Sequence, residues 1–139
     1  MAKTQSPLPG ELLQACADPT RLRILNLLHA GDLCVGDLVQ LLGVPQPTAS
    51  RHLAHLRAAG LVEARKEGLW VFYALAQPGS AFHSRLVNCL SCCVDEMPEL
   101  HADLRRAERL RRTGGCCPMH EPCGTASRGK AARPQARCS

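Results

Sequence analysis

Nine cysteines in a chain of 139 residues are the groups with the most chemistry to offer. Three fall together in FHSRLVNCLSCCVDEMPEL, as Cys89, Cys92 and Cys93. On one continuous helix, turning about 100° per residue, they stand at roughly 0°, 300° and 40°, an arc of about 100° on one face. Three thiols so placed converge without a long loop. Soft thiolates select soft or borderline ions, and a set lacking carboxylate and imidazole suits a trigonal pyramidal As(III) or Sb(III) better than Mg, Ca or Mn. The plainer alternative is a cysteine-rich buried dimer seam. A second group, Cys116 and Cys117 with Cys123, lies in GGCCPMHEPCG, where His120 adds a ligand suited to zinc. Along a straight helix Cys93 and Cys116 would be roughly 34 Å apart. Sharing one ion therefore needs a bend, which Met97-Pro98 offers because the residue before proline avoids the α region, or a partner's tail. These tail thiols are auxiliary candidates. Cys16 and Cys34 fall on an apolar stripe or a helix start, where cysteine packs as a small hydrophobe.

The elements that must carry these thiols follow from apolar spacing. Only 3% of the residues are aromatic, so the core is aliphatic. Leu12, Leu13, Cys16 and Ala17 share one helical face. Asp18 then caps a second helix, with Pro19 in its first position, and Leu22, Ile24, Leu25, Leu27 and Leu28 form its buried stripe up to Gly31. A short helix over about 34–42 buries Val35, Leu38, Leu41 and Leu42. Gly43-Val44-Pro45 makes a tight turn into a helix over about 46–59, which buries Ala49, Leu53 and Leu56. After Gly60 the period falls to about two, and LVEARK and LWVFYAL flank Glu67-Gly68 as a β-hairpin. A further helix spans Pro98 to Thr113, with Gly114 and Gly115 suited to its end. The expected fold is mostly α with a small β-hairpin, a helix-turn-helix followed by a wing.

Charge is informative only locally. The net charge is +5, and residues 114–139 account for +3 of it. Residues 46–66 nonetheless hold Arg51, Arg57, Arg65 and Lys66 against Glu63 alone, on the elements that would face phosphates. Gln46, Thr48, Ser50, Arg51 and His52 cluster at the start of the second motif helix, where such helices reach base edges, and Arg65 and Lys66 belong to the wing. Residues 1–10 read as a flexible leader, 11–113 as the DNA-binding and dimerisation domain, and 114–139 as a Cys- and Arg-rich tail without apolar periodicity. No apolar run long enough for a membrane span or secretory signal occurs. The expected location is the cytoplasm, where thiols stay reduced.

The stretches ADPTRLRILNLL, DLCVGDL, VPQPTASRHLAHLRAAGLVEARKEG and WVFYAL resemble the ArsR/SmtB family of winged-helix repressors over residues 11 to about 113. The resemblance implies a winged helix-turn-helix homodimer, joined through N- and C-terminal helices, that holds double-stranded operator DNA until a metal or metalloid binds. The family's best-known arsenic pattern has two cysteines flanking one residue before the Asp-Leu of the first motif helix. Here Cys34-Val35-Gly36-Asp37-Leu38 keeps only the first. The family's zinc site of acidic and histidine ligands on the last helix has no clear counterpart around His101 and Asp103. The leading expectation is an arsenic-responsive repressor sensing through Cys89, Cys92 and Cys93. Zn or Cd binding, or reversible disulfide formation, at the same cysteines is the nearest alternative, and a small cysteine-rich metal chaperone is a different class that leaves the wing unexplained. An enzyme is disfavoured, because no cysteine has a plausible histidine base with a third orienting group and no phosphate-cradling glycine loop occurs.

Overall fold

A computed structural model describes residues 7–114. Helix α1 (Pro9–Cys16) leads into α2 (Pro19–Ala30), and the break between them is made by Asp18. Its Oδ1 accepts hydrogen bonds from the backbone amides of Thr20 and Arg21 at 2.8 and 3.1 Å, satisfying two amides that the helix start leaves without partners. Strand β1 (Leu33–Cys34) precedes α3 (Val35–Leu42). Gly43, at φ 71°, takes the left-handed position that closes α3 and turns the chain toward α4 (Gln46–Ala58). Strands β2 (Val62–Glu67) and β3 (Trp70–Leu75) form the wing.

Two details of the hairpin differ from the sequence reading. Glu67 pairs with Trp70, so the two turn residues are Gly68 and Leu69 rather than Glu67 and Gly68. Gly68 alone of the two has positive φ, 66°, which glycine adopts without a Cβ penalty. The sheet also has a third strand: Leu33 and Cys34 pair antiparallel with Tyr73 and Phe72, giving the order β1-β3-β2. A two-residue strand has no period to read, so only its partner reveals it.

The core joins α1, α2, α3 and α4 through Leu12, Ile24, Leu27, Leu38, Leu53 and Leu56, all 1% exposed or less. Leu12, Ala15 and Cys16 are the inward face of α1. Leu13, expected on that face, is 52% exposed, and Ala17 is exposed as well. The eight-residue helix is too short to bury both flanks of its stripe.

Beyond the wing the chain is built differently. Helix α5 (Ala81–Leu90) starts on a Ser80 cap and buries His83. A 3₁₀ turn (Ser91–Asp95) follows, then α6 (Pro98–Thr113). One continuous helix through Cys89, Cys92 and Cys93 was the expectation, and the structure corrects it at Leu90. Pro98 holds Met97 extended, at φ −127° and ψ 99°, so the helix must leave the α conformation before it. The last turn tightens into 3₁₀ geometry, helped by Ser91 Oγ, which donates to the Asn88 carbonyl at 2.7 Å. Helix α6 ends at Thr113 with Gly114 at φ 96°, where the sequence put its terminus.

Helix α6 packs on α2 through Leu100, Asp103 and Ala107, spaced three and four apart on one face. Asp103, 1% exposed, receives Arg23 Nε at 2.7 Å and Nη2 at 2.9 Å, with Arg106 Nη2 at 2.6 Å. The same arginines reach the carbonyl end of α3: Arg106 donates to Leu41 O at 3.0 Å, and Arg23 lies 3.4 and 3.5 Å from Leu42 O and Leu41 O. A buried carboxylate thus ties α6, α2 and the last turn of α3 together, and the arginines occupy carbonyls that the end of α3 leaves open.

Candidate nucleic-acid interface and thiol cluster

Helix α4 lies on the core through Ala49, Leu53 and Leu56. That stripe leaves Pro47, Arg51, Ala54 and His55 on the opposite face, all exposed. Arg51 is at the centre of the outward face, with His55 one turn on. Gln46 and Ser50 are exposed on one flank, while Thr48 and His52 are half-buried on the other. His52 is held from behind: its Nδ1 lies 3.4 Å from Arg21 Nη1. Arg21 also donates from Nε to Ala15 O at 2.6 Å and from Nη2 to Gln14 O at 3.4 Å, closing the carbonyl end of α1. Nearby, burial opposes ionisation of Asp18, but its hydrogen bonds from the Arg21 and Thr20 amides and the charges of His52 and Arg21 prevail and hold its carboxyl below the usual range. Sequence reading missed Arg21, since thirty-one positions separate it from His52 and no local pattern links them.

The wing presents Arg65 and Lys66 differently. They are successive residues of β2, so their side chains point to opposite faces of the sheet. Arg65 is already engaged, with Nε 3.0 Å from Glu67 Oε2, Nη2 3.4 Å from Asp32 Oδ2, and its guanidinium 6.0 Å over the Phe72 ring. Glu67 and Asp32 occupy Nε and Nη2, so a phosphate would share this guanidinium with two carboxylates, meeting it through Nη1. Lys66 is exposed.

The thiols separate into kinds. Cys34, caps α3 from the strand and is fully buried, packed with Phe72 and Trp70. Cys92 is disulfide-bonded. Cys16, Cys89 and Cys93 are free thiols, buried, exposed and half-buried respectively. Burial, then the negative fields of Cys89 and Glu96, push the Cys93 thiol up. Burial also raises Cys16, with Arg21 opposing and Cys93 adding to the rise. Among the described residues no three potential ligands are grouped tightly enough to hold a metal ion. A groove of about 400 Å³ between α3 and α6, lined by Gln40, Leu41, Arg106, Arg109, Leu110 and Thr113, contains none of the cysteines. Cys116, Cys117, Cys123 and His120 lie outside the described residues.

Among the described residues no helix is long and apolar enough to cross a membrane. The model of the arsR family of bacterial regulatory proteins matches residues 18–64. The arsenical resistance operon repressor of Escherichia coli is 40% identical over 108 residues, which span 77% of this chain and 91% of that protein. The transcriptional repressor BigR of Xylella fastidiosa superimposes with a TM-score of 0.55 at 36% identity, over 63% of this chain and 86% of that one. A homodimeric winged helix-turn-helix DNA-binding domain from Mycobacterium bovis does so with a TM-score of 0.53 at 34% identity, over 63% of this chain and 78% of that one.

Proposed function

The chain belongs to the arsR family of bacterial regulatory proteins, and we propose that within it this protein is a homodimeric repressor that releases its operator when a trivalent arsenical reaches its C-terminal thiols. The DNA-binding role rests on α4, whose outward face carries Arg51 with Gln46, Ser50 and His55, and on the basic wing with Arg65 and Lys66. Thr48 and His52 read the flank nearer α2. Two such helices in a dimer would enter successive major grooves. The exposed Leu13 and Phe82, on the contacting helices α1 and α5, support pairing of two copies through these ends.

The observation that carries the arsenic reading is the position of Cys89 and Cys93. They are two free thiols, close enough for one to raise the proton affinity of the other, on the segment that leads into the clamped helix α6. Burial, with the field of Cys89, holds the Cys93 proton more tightly than that of an ordinary thiol. Zn(II) needs its thiol ligands as thiolates and must expel their protons, whereas arsenous acid condenses with thiols as each proton leaves with a hydroxide as water. Cys92 joins the set once its disulfide is reduced, Cys116 and Cys117 serve as auxiliary thiols, and Sb(III) is the natural analogue. Rearrangement of the 3₁₀ turn would reach α3 through Asp103, with a coupling of about 1–3 kcal/mol between thiol and operator sites.

The disulfide at Cys92 favours a second reading, release on oxidation. The raised proton affinity of Cys93 argues against it, because a thiolate is the reactive form. Fluorescence anisotropy of a labelled operator duplex, followed against As(III), Zn(II) and peroxide with reduced protein, separates these. As(III) alone should release DNA; Cys89→Ser and Cys93→Ser should stay bound, Cys92→Ser should be intermediate, and Cys34→Ser should respond normally. Normal release by both Cys89→Ser and Cys93→Ser would move the site to Cys116 and Cys117.

A further inference from the structure

Arg21 stands at the corner where α1 gives way to α2, and its guanidinium reaches across to α4. Its backbone is fixed first, because the Arg21 amide is one of the two that Asp18 Oδ1 receives, at 3.1 Å. Nε then donates to Ala15 O at 2.6 Å and Nη2 to Gln14 O at 3.4 Å, both in the last turn of α1. With two nitrogens held there, Nη1 has a set place, 3.4 Å from His52 Nδ1. A guanidinium carries five N–H donors and no acceptor, so it meets a ring nitrogen only where that nitrogen offers a lone pair. Nδ1 therefore accepts, and the one proton of the neutral imidazole stands on Nε2, across the ring. Asp18 is the carboxylate whose field involves both Arg21 and His52, but its Oδ1 is committed to the Thr20 and Arg21 amides. The plainer role for Arg21, a direct phosphate contact, meets all three guanidinium nitrogens already turned to protein acceptors.

We propose that Arg21 is a positioning residue for DNA binding: anchored on α1, it fixes the His52 ring with Nδ1 as acceptor, so that Nε2–H is presented to a phosphate oxygen of the duplex. The inference rests on the reading of α4 as the helix that meets DNA. His52 is half-buried on the flank of α4 nearer α2, next to the exposed Arg51. A helix laid in a major groove turns its outward centre to the base edges and its flanks to the groove walls, where the sugar–phosphate backbones run. A single N–H on a flank suits a phosphate oxygen. A donor already fixed loses less freedom on binding than a mobile one, which is what the anchor on α1 contributes.

The test uses the full-length reduced protein with a labelled duplex that the protein selects from a random-sequence pool, and an unrelated duplex of equal length. Arg21→Met keeps much of the side chain's bulk and removes its donors. It should weaken binding about threefold to tenfold, and that loss should vanish when the same change is made in His52→Ala. Should Arg21→Met unfold, Arg21→Lys keeps the charge but, with one nitrogen in place of a fork, cannot hold both α1 and His52, and it serves the same cycle. His52→Ala alone should lose equally on both duplexes with an unchanged salt slope, since a neutral donor to phosphate carries no base information and releases no counterion. His52→Gln, whose amide nitrogen reaches the place of Nε2, should recover part of the loss, and the shorter His52→Asn should not. Nitrogen NMR at about pH 8 should find the His52 ring proton on Nε2 in the wild type, and the Nδ1 signal should move in Arg21→Met as its donor is lost. A proton on Nδ1, or the same loss from Arg21→Met with and without His52, would overturn the inference and leave the reading of α4 standing. A loss confined to the selected duplex, or a salt slope lowered by about one in His52→Ala, would overturn the neutral phosphate contact. If Arg51→Ala and His52→Ala both bind like the wild type, the reading of α4 fails, and this inference with it.

Discussion

The half of the molecule that would read DNA and the half that carries the thiols are held together by different physics. From α2 through the wing, each element seats apolar side chains in one core, and its ends are set by a cap or a turn: Asp18 before α2, Gly43 after α3, Gly68 in the hairpin. From α5 to the start of α6 the apolar side chains are half-buried or exposed, α5 buries only His83, and the 3₁₀ turn buries nothing. The outward face of α4 is therefore fixed by the core beneath it, whereas the thiol segment has few buried side chains to hold it. A sensor wired the other way, with a rigid thiol site and a loose reading helix, would spend ligand binding on ordering its output.

The comparison breaks most visibly in the core. Leu56→Ala, under α4, should lose about 2–5 kcal/mol of unfolding free energy and operator binding with it, whereas Cys93→Ser should shift the urea midpoint little. Equal losses would show that both halves belong to one closed core. Arg23→Ala should come next, at about 3 kcal/mol, because it leaves the buried Asp103 carboxylate with Arg106 alone; a near-neutral effect would mean that α6 is not fastened to the reading half by this clamp.

Arg51→Ala should leave stability unchanged and weaken operator binding by about 1–3 kcal/mol, measured by anisotropy at fixed salt. The thiol half has its own signature in pH. Burial holds the His83 imidazole below its ordinary pKa, with Nδ1 accepting from the Gly79 amide at 3.3 Å and Nε2 buried without a hydrogen-bond partner. The unfolded state then binds the proton first. Stability should be full above the unfolded His value of about 6.5, fall as pH drops below it, and level off once the folded state also protonates. Urea midpoints from pH 7.5 to 5 should show this fall in the wild type and a shallower one in His83→Phe. Arg65→Ala should have the smallest effect, a slightly flatter salt dependence of DNA binding, since Glu67 and Asp32 already occupy that guanidinium.

How much was legible in the chain divides along the same line. Asp18-Pro19, Gly31, Gly43 and the stripe Ala49, Leu53, Leu56 located α2, α3 and α4, because local capping and a strong apolar period agree there. The outward position of Arg51 followed from that period. The single helical arc expected for Cys89, Cys92 and Cys93 is broken by the 3₁₀ turn over Ser91–Asp95, which no periodicity announces. The Arg23–Asp103 clamp and the Arg21–His52 contact join residues eighty and thirty-one positions apart, so neither could be read from spacing.

The strand order β1-β3-β2 leaves β2 as an open edge of the sheet, and its exposed residues are Glu63, Arg65, Lys66 and Glu67. An uncovered edge invites another strand to add to it, and alternating charge along that edge is a common deterrent. Glu63, Arg65, Lys66 and Glu67 are therefore suited to keep free copies from joining edge to edge. Substitutions there that replace charge with β-branched apolar residues would first be noticed as turbid, self-associating protein, and a loss of operator affinity measured on such material would report aggregation before it reported recognition.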